Sequence, residues 1–263
     1  MTNPAETILF HPSSLSKLVT EPKSKSEPIS ETTKSHLLDV FAEFKYGRKE
    51  EIKSKFLDKG NAREEDSITL YSRVTKTLFN KNAERLVNSF ITGEPDLFIG
   101  QEIYKATEII DIKSSFSLNT FLSSKHSPLD KGYVWQGHGY MMLTGAQKHT
   151  VAFCLINSPV NIIDDEKRRL AWKMGLIDTE LSEEYNEKCK QIELNHIFDF
   201  DAFVKECPHY AFHNTPEVLR SSSIPMKDRV HTKVVQRDDA AIKNIELKVE
   251  LARKWMNENL FNV

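Results

Sequence analysis

Apolar positions recur at helical spacing through Leu37, Leu38, Phe41 and Phe44, which predicts a helix within residues 34–58 that Gly47 brings to an end. A second helix is expected from Lys49 to Leu57, where Ile52 and Phe56 stand four apart. A third follows, with Asn61 as its cap and acids in its first turn that suit the helix dipole. On that helix Glu64, Ser67, Ile68 and Tyr71 share one face. The period then shortens. Phe90-Ile91-Thr92 and Leu97-Phe98-Ile99 are brief apolar runs, joined by the turn Gly93-Glu94-Pro95. Thr107 to Lys113 is rich in β-branched residues and reads as a strand. Side chains alternate across a strand, so Ile109, Asp111 and Lys113 share one face, while Ile110 and Ile112 turn their face to a core.

Residues 117–131 form a polar connection carrying Leu118, Phe121 and Leu122. Tyr133 to Leu143 is expected to be helical despite Gly137 and Gly139, and there Gln136 and Tyr140 stand four apart on one face. The continuous apolar run Thr150 to Ile156 predicts a buried strand. A mostly helical insert is expected over 164–222, with Leu170 and Trp172 on its first helix, Tyr185, Ile192 and Ile197 on its second, and a third starting near Asp199. Val230 to Val235 reads as a last strand. From Ala240 to Leu260 a long helix carries one apolar stripe of Ile242, Ile245, Val249, Ala252, Trp255 and Met256. Residues 1–35, rich in Ser, Thr, Pro, Lys and Glu, read as a flexible segment with a short serine-capped helix around Ser13 to Val19, and 36–263 as a single domain.

The chain has 263 residues, 39% hydrophobic and 28% charged, an ordinary globular composition. No run approaches the length of a membrane helix, and the N-terminus lacks the form of a signal peptide, so a cytoplasmic protein without a membrane partner is expected. Three cysteines, Cys154, Cys189 and Cys207, contain no Cys-x-x-Cys spacing, which argues against a disulfide framework and against a four-cysteine zinc or iron–sulfur site. His209 and His213 stand four apart, but no clear further ligand follows Cys207 and this pair, so zinc is not expected. Net charge is −2, so any nucleic-acid contact has to come from local basic clusters such as Lys45/Arg48/Lys49, Lys53/Lys55, Lys167/Arg168/Arg169 and Arg229/Lys233/Arg237. Such runs are more commonly solvated faces.

One juxtaposition changes this picture. Asp96 opens the run Leu97-Phe98-Ile99, and Asp111 lies on the strand 107–113. If the two strands pair, both carboxylates meet at one end of the sheet. Two carboxylates in one place repel, and a divalent cation relieves the repulsion. All-oxygen ligands select a hard ion, Mg²⁺ or Mn²⁺. Such an ion activates water and neutralises a phosphate, and Lys113 on the same face stabilises developing charge or orients the water.

Pro95-Asp96, then Asp111-x-Lys113 fifteen residues after the first acid, resembles the PD-(D/E)XK nuclease superfamily. Two further elements fall in the family's order. Gly60 followed by Glu64 resembles the first motif of phage exonucleases of the lambda and YqaJ type, with Glu65 a rival for the same role. Gln136-x-x-x-Tyr140 resembles the fourth motif of the RecB-like branch. The resemblance implies an α/β fold, a mixed central sheet flanked by helices. It implies that Glu64, Asp96, Asp111 and the Ile112 carbonyl bind Mg²⁺ and that Lys113 assists the attacking water. It implies that Gln136, Tyr140 and Ser114 contact DNA. The implied reaction is exonucleolytic hydrolysis of linear duplex DNA, beside a single-strand annealing recombinase and with the chain as a homo-oligomer. A nicking or structure-specific endonuclease, or a binding module without catalysis, would share the fold. The two glycines within the fourth motif and the long insert depart from the pattern.

Overall fold

The computed structural model describes residues 4–49, 54–176 and 182–262. Its helices and strands run α1 (Leu15–Leu18), α2 (Glu31–Tyr46), α3 (Lys55–Thr75), β1 (Asn80–Lys81), β2 (Leu86–Val87), β3 (Thr92–Gly93), β4 (Leu97–Ile99) and β5 (Glu108–Ser115). There follow α4 (Leu118–His126), α5 (Lys131–Thr144), β6 (Lys148–Leu155), α6 (Val160–Lys173), α7 (Glu183–His196), α8 (Phe200–Glu206), α9 (Pro216–Ser221), β7 (Val230–Gln236) and α10 (Asp239–Met256). Five strands form one mixed sheet in the order β1-β4-β5-β6-β7. Only the β5–β6 pair is parallel, and α4 and α5 supply its crossover. The expected α/β architecture is present.

Both faces of β5 are covered. Ile110 and Ile112 pack with Leu70 and Tyr71 of α3. Ile109 packs on the other side with Tyr140 and Met141 of α5 and with Ile245 and Val249 of α10. The face that carries Asp111 is therefore interior, which makes an acid there costly unless it is paired. Residues 1–35, read from composition as flexible, supply buried Ala5, Ile8, Phe10, Leu15, Leu18 and Ile29 to this second layer. Arg253 of α10 fixes that segment by donating to the Ile8 carbonyl at 2.6 Å and to the Ser89 carbonyl at 2.8 Å.

Gly47 ends α2 in the left-handed conformation, as expected. The reading of residues 49–75 needs correction. Ile52 lies outside the described residues, and no helix ends at Leu57. Instead α3 starts at the Ser54 cap and runs through Gly60 and Asn61 without a break. Tertiary contacts outweigh the roughly 1 kcal/mol that an internal glycine costs. Lys59 donates to the Phe116 carbonyl at 2.9 Å, and Arg63 bonds Asp66 and Glu206 at 2.9 Å. The polar connection after β5 also contains a helix, α4, started by a capping box between Ser117 and Thr120.

The insert is helical, and it is tied to α3. Lys55 pairs with Glu166 at 2.8 Å and Arg63 with Glu206 at 2.8 Å. Inside the insert Glu193 is fully buried and accepts from Lys167 (2.8 Å), from the backbone of His213 and Asn214, and from the Asn214 amide. These bonds hold its pKa below the ordinary value against the opposing effect of burial. His209 and His213 do not share a helix; Cys207 to Asn214 follows α8 without regular structure, and the His213 ring meets Lys167.

Candidate active site

The site is set by where β4 stops. Leu97 pairs with Ile110 and Phe98 with Ile109, so Asp96, just before β4, lies at the level of Asp111. The Asp96 carbonyl accepts from Asn82 N–H at 2.9 Å, so the polar backbone of Asp96 faces β1. In an antiparallel ladder this makes Asp96/Asp111 a non-hydrogen-bonded pair, with side chains at close approach on one face. The Ile112 N–H donates to Asp96 Oδ2 at 2.7 Å, which ties this carboxylate to the strand that carries Asp111.

The electrostatics are those of crowded acids. Burial, and then the charge of Asp111, push the Asp96 carboxyl up to about 7. Asp111 is 1% exposed. Its Oδ2 lies 2.6 Å from Lys113 Nζ, yet that contact lacks hydrogen-bond geometry and the oxygen keeps its acceptor capacity. Burial disfavours the Lys113 ammonium, but Asp111 beside it prevails and holds its pKa above the ordinary value. Lys113 Nζ also stands 5.3 Å over the Tyr133 ring.

Helix α5 buttresses the acid pair. Its Asp130 cap accepts from Gly132 N–H at 2.7 Å. Gln136 Nε2 points to Asp111 Oδ1 at 3.5 Å and donates to Tyr140 Oη at 3.3 Å, and the Tyr140 hydroxyl donates to the Glu94 carbonyl at 3.2 Å. Both side chains are buried. The two glycines, unfavourable in a helix by propensity, allow this one to lie close. A β-carbon on Gly137 would sit 2.5 Å from His149 Nδ1, and one on Gly139 would sit 2.6 Å from Leu15 Cδ1.

Asp96, Ile112, Lys113, Ser114, Gln136 and Glu64 line one cleft of about 990 Å³. Ser114 shares a 2.7 Å hydrogen bond with Ser67 of α3. Glu64 comes from α3, which covers the opposite face of the sheet. Its carboxylate is 3.3 Å from Lys81 Nζ, and exposed Glu65 pairs with the same lysine. Among the described residues no three His, Cys, Asp or Glu side chains gather closely enough to hold a metal ion. The structure thus brings Asp96, Asp111, Lys113 and Gln136 together and sets Glu64 at the edge. Sequence reasoning did not single out Tyr133, although it stands three residues before Gln136 on a helix. It also missed Phe56 and Phe116, which line the same cleft.

No protein-family model matches this chain, and no curated protein does. Solved structures do. A phage-related exonuclease from Haemophilus somnus 129PT superposes with a TM-score of 0.67 at 25% identity, over 99% of this chain and 98% of that one. An alkaline exonuclease, LHK-Exo, from Laribacter hongkongensis gives 0.58 at 13% identity, over 99% and 95%. The same exonuclease in complex with dAMP gives 0.55 at 14% identity, over 98% and 94%. The resemblance to phage-type exonucleases extends over nearly the whole chain, insert included. No helix among the described residues is long and apolar enough to cross a membrane.

Proposed function

We propose that this chain is a metal-dependent DNA exonuclease that hydrolyses phosphodiester bonds at the ends of linear duplex DNA. One observation carries the proposal. The half-buried Asp96 and the buried Asp111 are close enough to repel, Lys113 is ion-paired with Asp111, and Asp96 and Lys113 open into one cleft, in a fold shared with a phage-related exonuclease.

The residues fit a hard cation. Burial and then the Asp111 charge raise the Asp96 pKa, so a nearby cation would favour its ionised form, and Asp111 Oδ2 has acceptor capacity to spare. Asp96, Asp111 and Ile112 would hold Mg²⁺, or Mn²⁺ in its place, with Glu64 added once it leaves Lys81. A bound ion of this kind supplies charge neutralisation at the phosphate and a more acidic water. Lys113 holds a positive charge where the phosphate becomes more negative, against the face of Tyr133. Gln136 and Tyr140 fix the orientation of Asp111, and Ser114 offers a hydroxyl to the phosphate or sugar. By resemblance, the wider role is phage-type DNA recombination in the bacterial cytoplasm, beside a single-strand annealing partner and with the chain as a homo-oligomer.

The test is incubation with linear duplex DNA and with closed circular DNA, in Mg²⁺ or EDTA, beside Asp111→Asn. Loss of the linear substrate alone, abolished by EDTA and by the substitution while DNA binding persists, is the expected result. Cutting of the circle would replace the exonuclease with an endonuclease. Intact DNA throughout, with Mn²⁺ also tried, would sink the catalytic proposal.

A further inference from the structure

The cleft has an apolar lip that the acid chemistry does not use. Phe56 and Leu57, on the first turn of α3, are 54% and 51% exposed. Phe56 meets Phe116, which follows β5, at a ring separation of 4.7 Å and an angle of 53°. Lys55 Nζ stands 4.9 Å over the Phe116 ring. One turn on, a β-carbon at Gly60 would meet nothing within 4 Å, so the space beside the rings is open. All of these apart from Lys55 line the same cleft as Asp96 and Lys113.

Single exposed apolar side chains are unremarkable. This group differs because a buried charge holds it in place. Lys59 is fully buried, and its ammonium donates to the backbone carbonyl of Phe116. That bond tethers the Phe116 backbone, while Phe56, Lys55 and the His196 ring, T-shaped at 5.3 Å, surround the Phe116 ring. Phe116 is also two residues from Ser114 and three from Lys113, so its ring is held close to the catalytic strand end.

The rest of the cleft is rich in hydroxyls, with Ser114, Thr120, Ser123 and Ser124 among them. Hydroxyls suit phosphates and sugars. Aromatic rings suit the face of a base. Inside a duplex both faces of a base are covered and an end pair offers only its outer one, whereas an unpaired nucleotide can turn a free face to either tilted ring.

Resting on the nuclease reading above, we infer that Phe56 and Phe116 form a stacking platform for an unpaired base next to the scissile phosphate. They are positioning residues for the strand being cut. Lys59 is the buried prop that keeps the platform in place.

The test uses the full chain in EDTA, where no cleavage occurs, and three fluorescein-labelled single-stranded oligodeoxynucleotides. One is unmodified, one carries 2-aminopurine at its end nucleotide, and one is abasic there. Each is titrated with wild type, Phe56→Ala and Phe56→Trp. Because Phe56 is half-exposed, Phe56→Ala should fold, and circular dichroism checks this. Wild type should quench the 2-aminopurine and bind the abasic strand about 5- to 100-fold more weakly than the unmodified one, the span of one base–aromatic stack. Phe56→Ala should lose the quenching and the discrimination, and Phe56→Trp should restore both. Equal affinity of wild type for abasic and unmodified strands would overturn the platform. So would unchanged quenching in Phe56→Ala. Either result would leave the nuclease reading intact if wild type still degrades linear DNA in Mg²⁺. No binding of any strand and no degradation would overturn both.

Discussion

Replacing Lys59 by methionine should stabilise the protein near neutral pH, and by less as the pH rises. Burial pushes the Lys59 ammonium down from 10.5 to about 7, with the nearby Arg63 charge adding to the effect. Between those values the unfolded chain binds a proton that the folded chain has released. Stability therefore rises with pH across this window, and the cost of the charged form is complete only below pH 7. At about 1.4 kcal/mol per pH unit, the change from pH 7 to 9.5 is roughly 3 kcal/mol. The rings of Phe198 at 5.3 Å and Phe116 at 5.9 Å favour the ammonium and reduce this by about 1 kcal/mol. Urea unfolding of wild type and Lys59→Met at several pH values between 6.5 and 9.5 should show the difference in unfolding free energy shrinking by about 2 kcal/mol. Taking the difference removes the titration of groups common to both proteins. Parallel stability–pH curves, or a gap that widens with pH, would refute the claim that a charged amine is confined there.

Other substitutions probe other parts of the frame. Gly137→Ala should cost about 1–3 kcal/mol in thermal unfolding, because its β-carbon would press on the His149 ring and push α5 off the sheet. A larger loss of cleavage than of stability would follow from displaced Gln136. Glu193→Ala should cost about 3–5 kcal/mol, since it strands the buried Lys167 ammonium; an unchanged melting curve would show that the insert does not depend on this pair. Lys81→Gln should free Glu64 and tighten Mn²⁺ binding in calorimetry, whereas unchanged affinity would mean that Glu64 takes no part in the ion site.

The strand end that carries the acids was legible in the sequence because its logic is local. Alternation places Asp111 and Lys113 on one face, Pro95 and Asp96 follow a glycine turn, and Gly47 and the α10 stripe obey capping and periodicity rules. What escaped depends on distant partners. Gly60 and Asn61 look like a helix boundary, and partners far along the chain, Phe116 and Glu206 among them, hold α3 continuous through them. The helix α4 hid because its capping box uses Thr120 where the usual signal is Glu or Gln. The polar composition of residues 1–35 obscured Ile8, Phe10 and Leu15, whose cover comes from α5 and α10. The place of Glu64 was legible as a helix face, but its capture by Lys81 of β1 was not.

The clasp between Arg253 and Ile8 closes a span of 245 residues. Ribosomes add on the order of 5–20 residues per second. On the order of 10–50 seconds therefore separate the synthesis of these two partners. During that interval Ile8 and Phe10 lack their cover from α10, and the α5–β5 layer that frames the acids lacks its outer wall. Until then this apolar segment is open to whatever chaperone meets it first. The proposed phosphodiester chemistry waits for α10, which is made after every strand of the sheet.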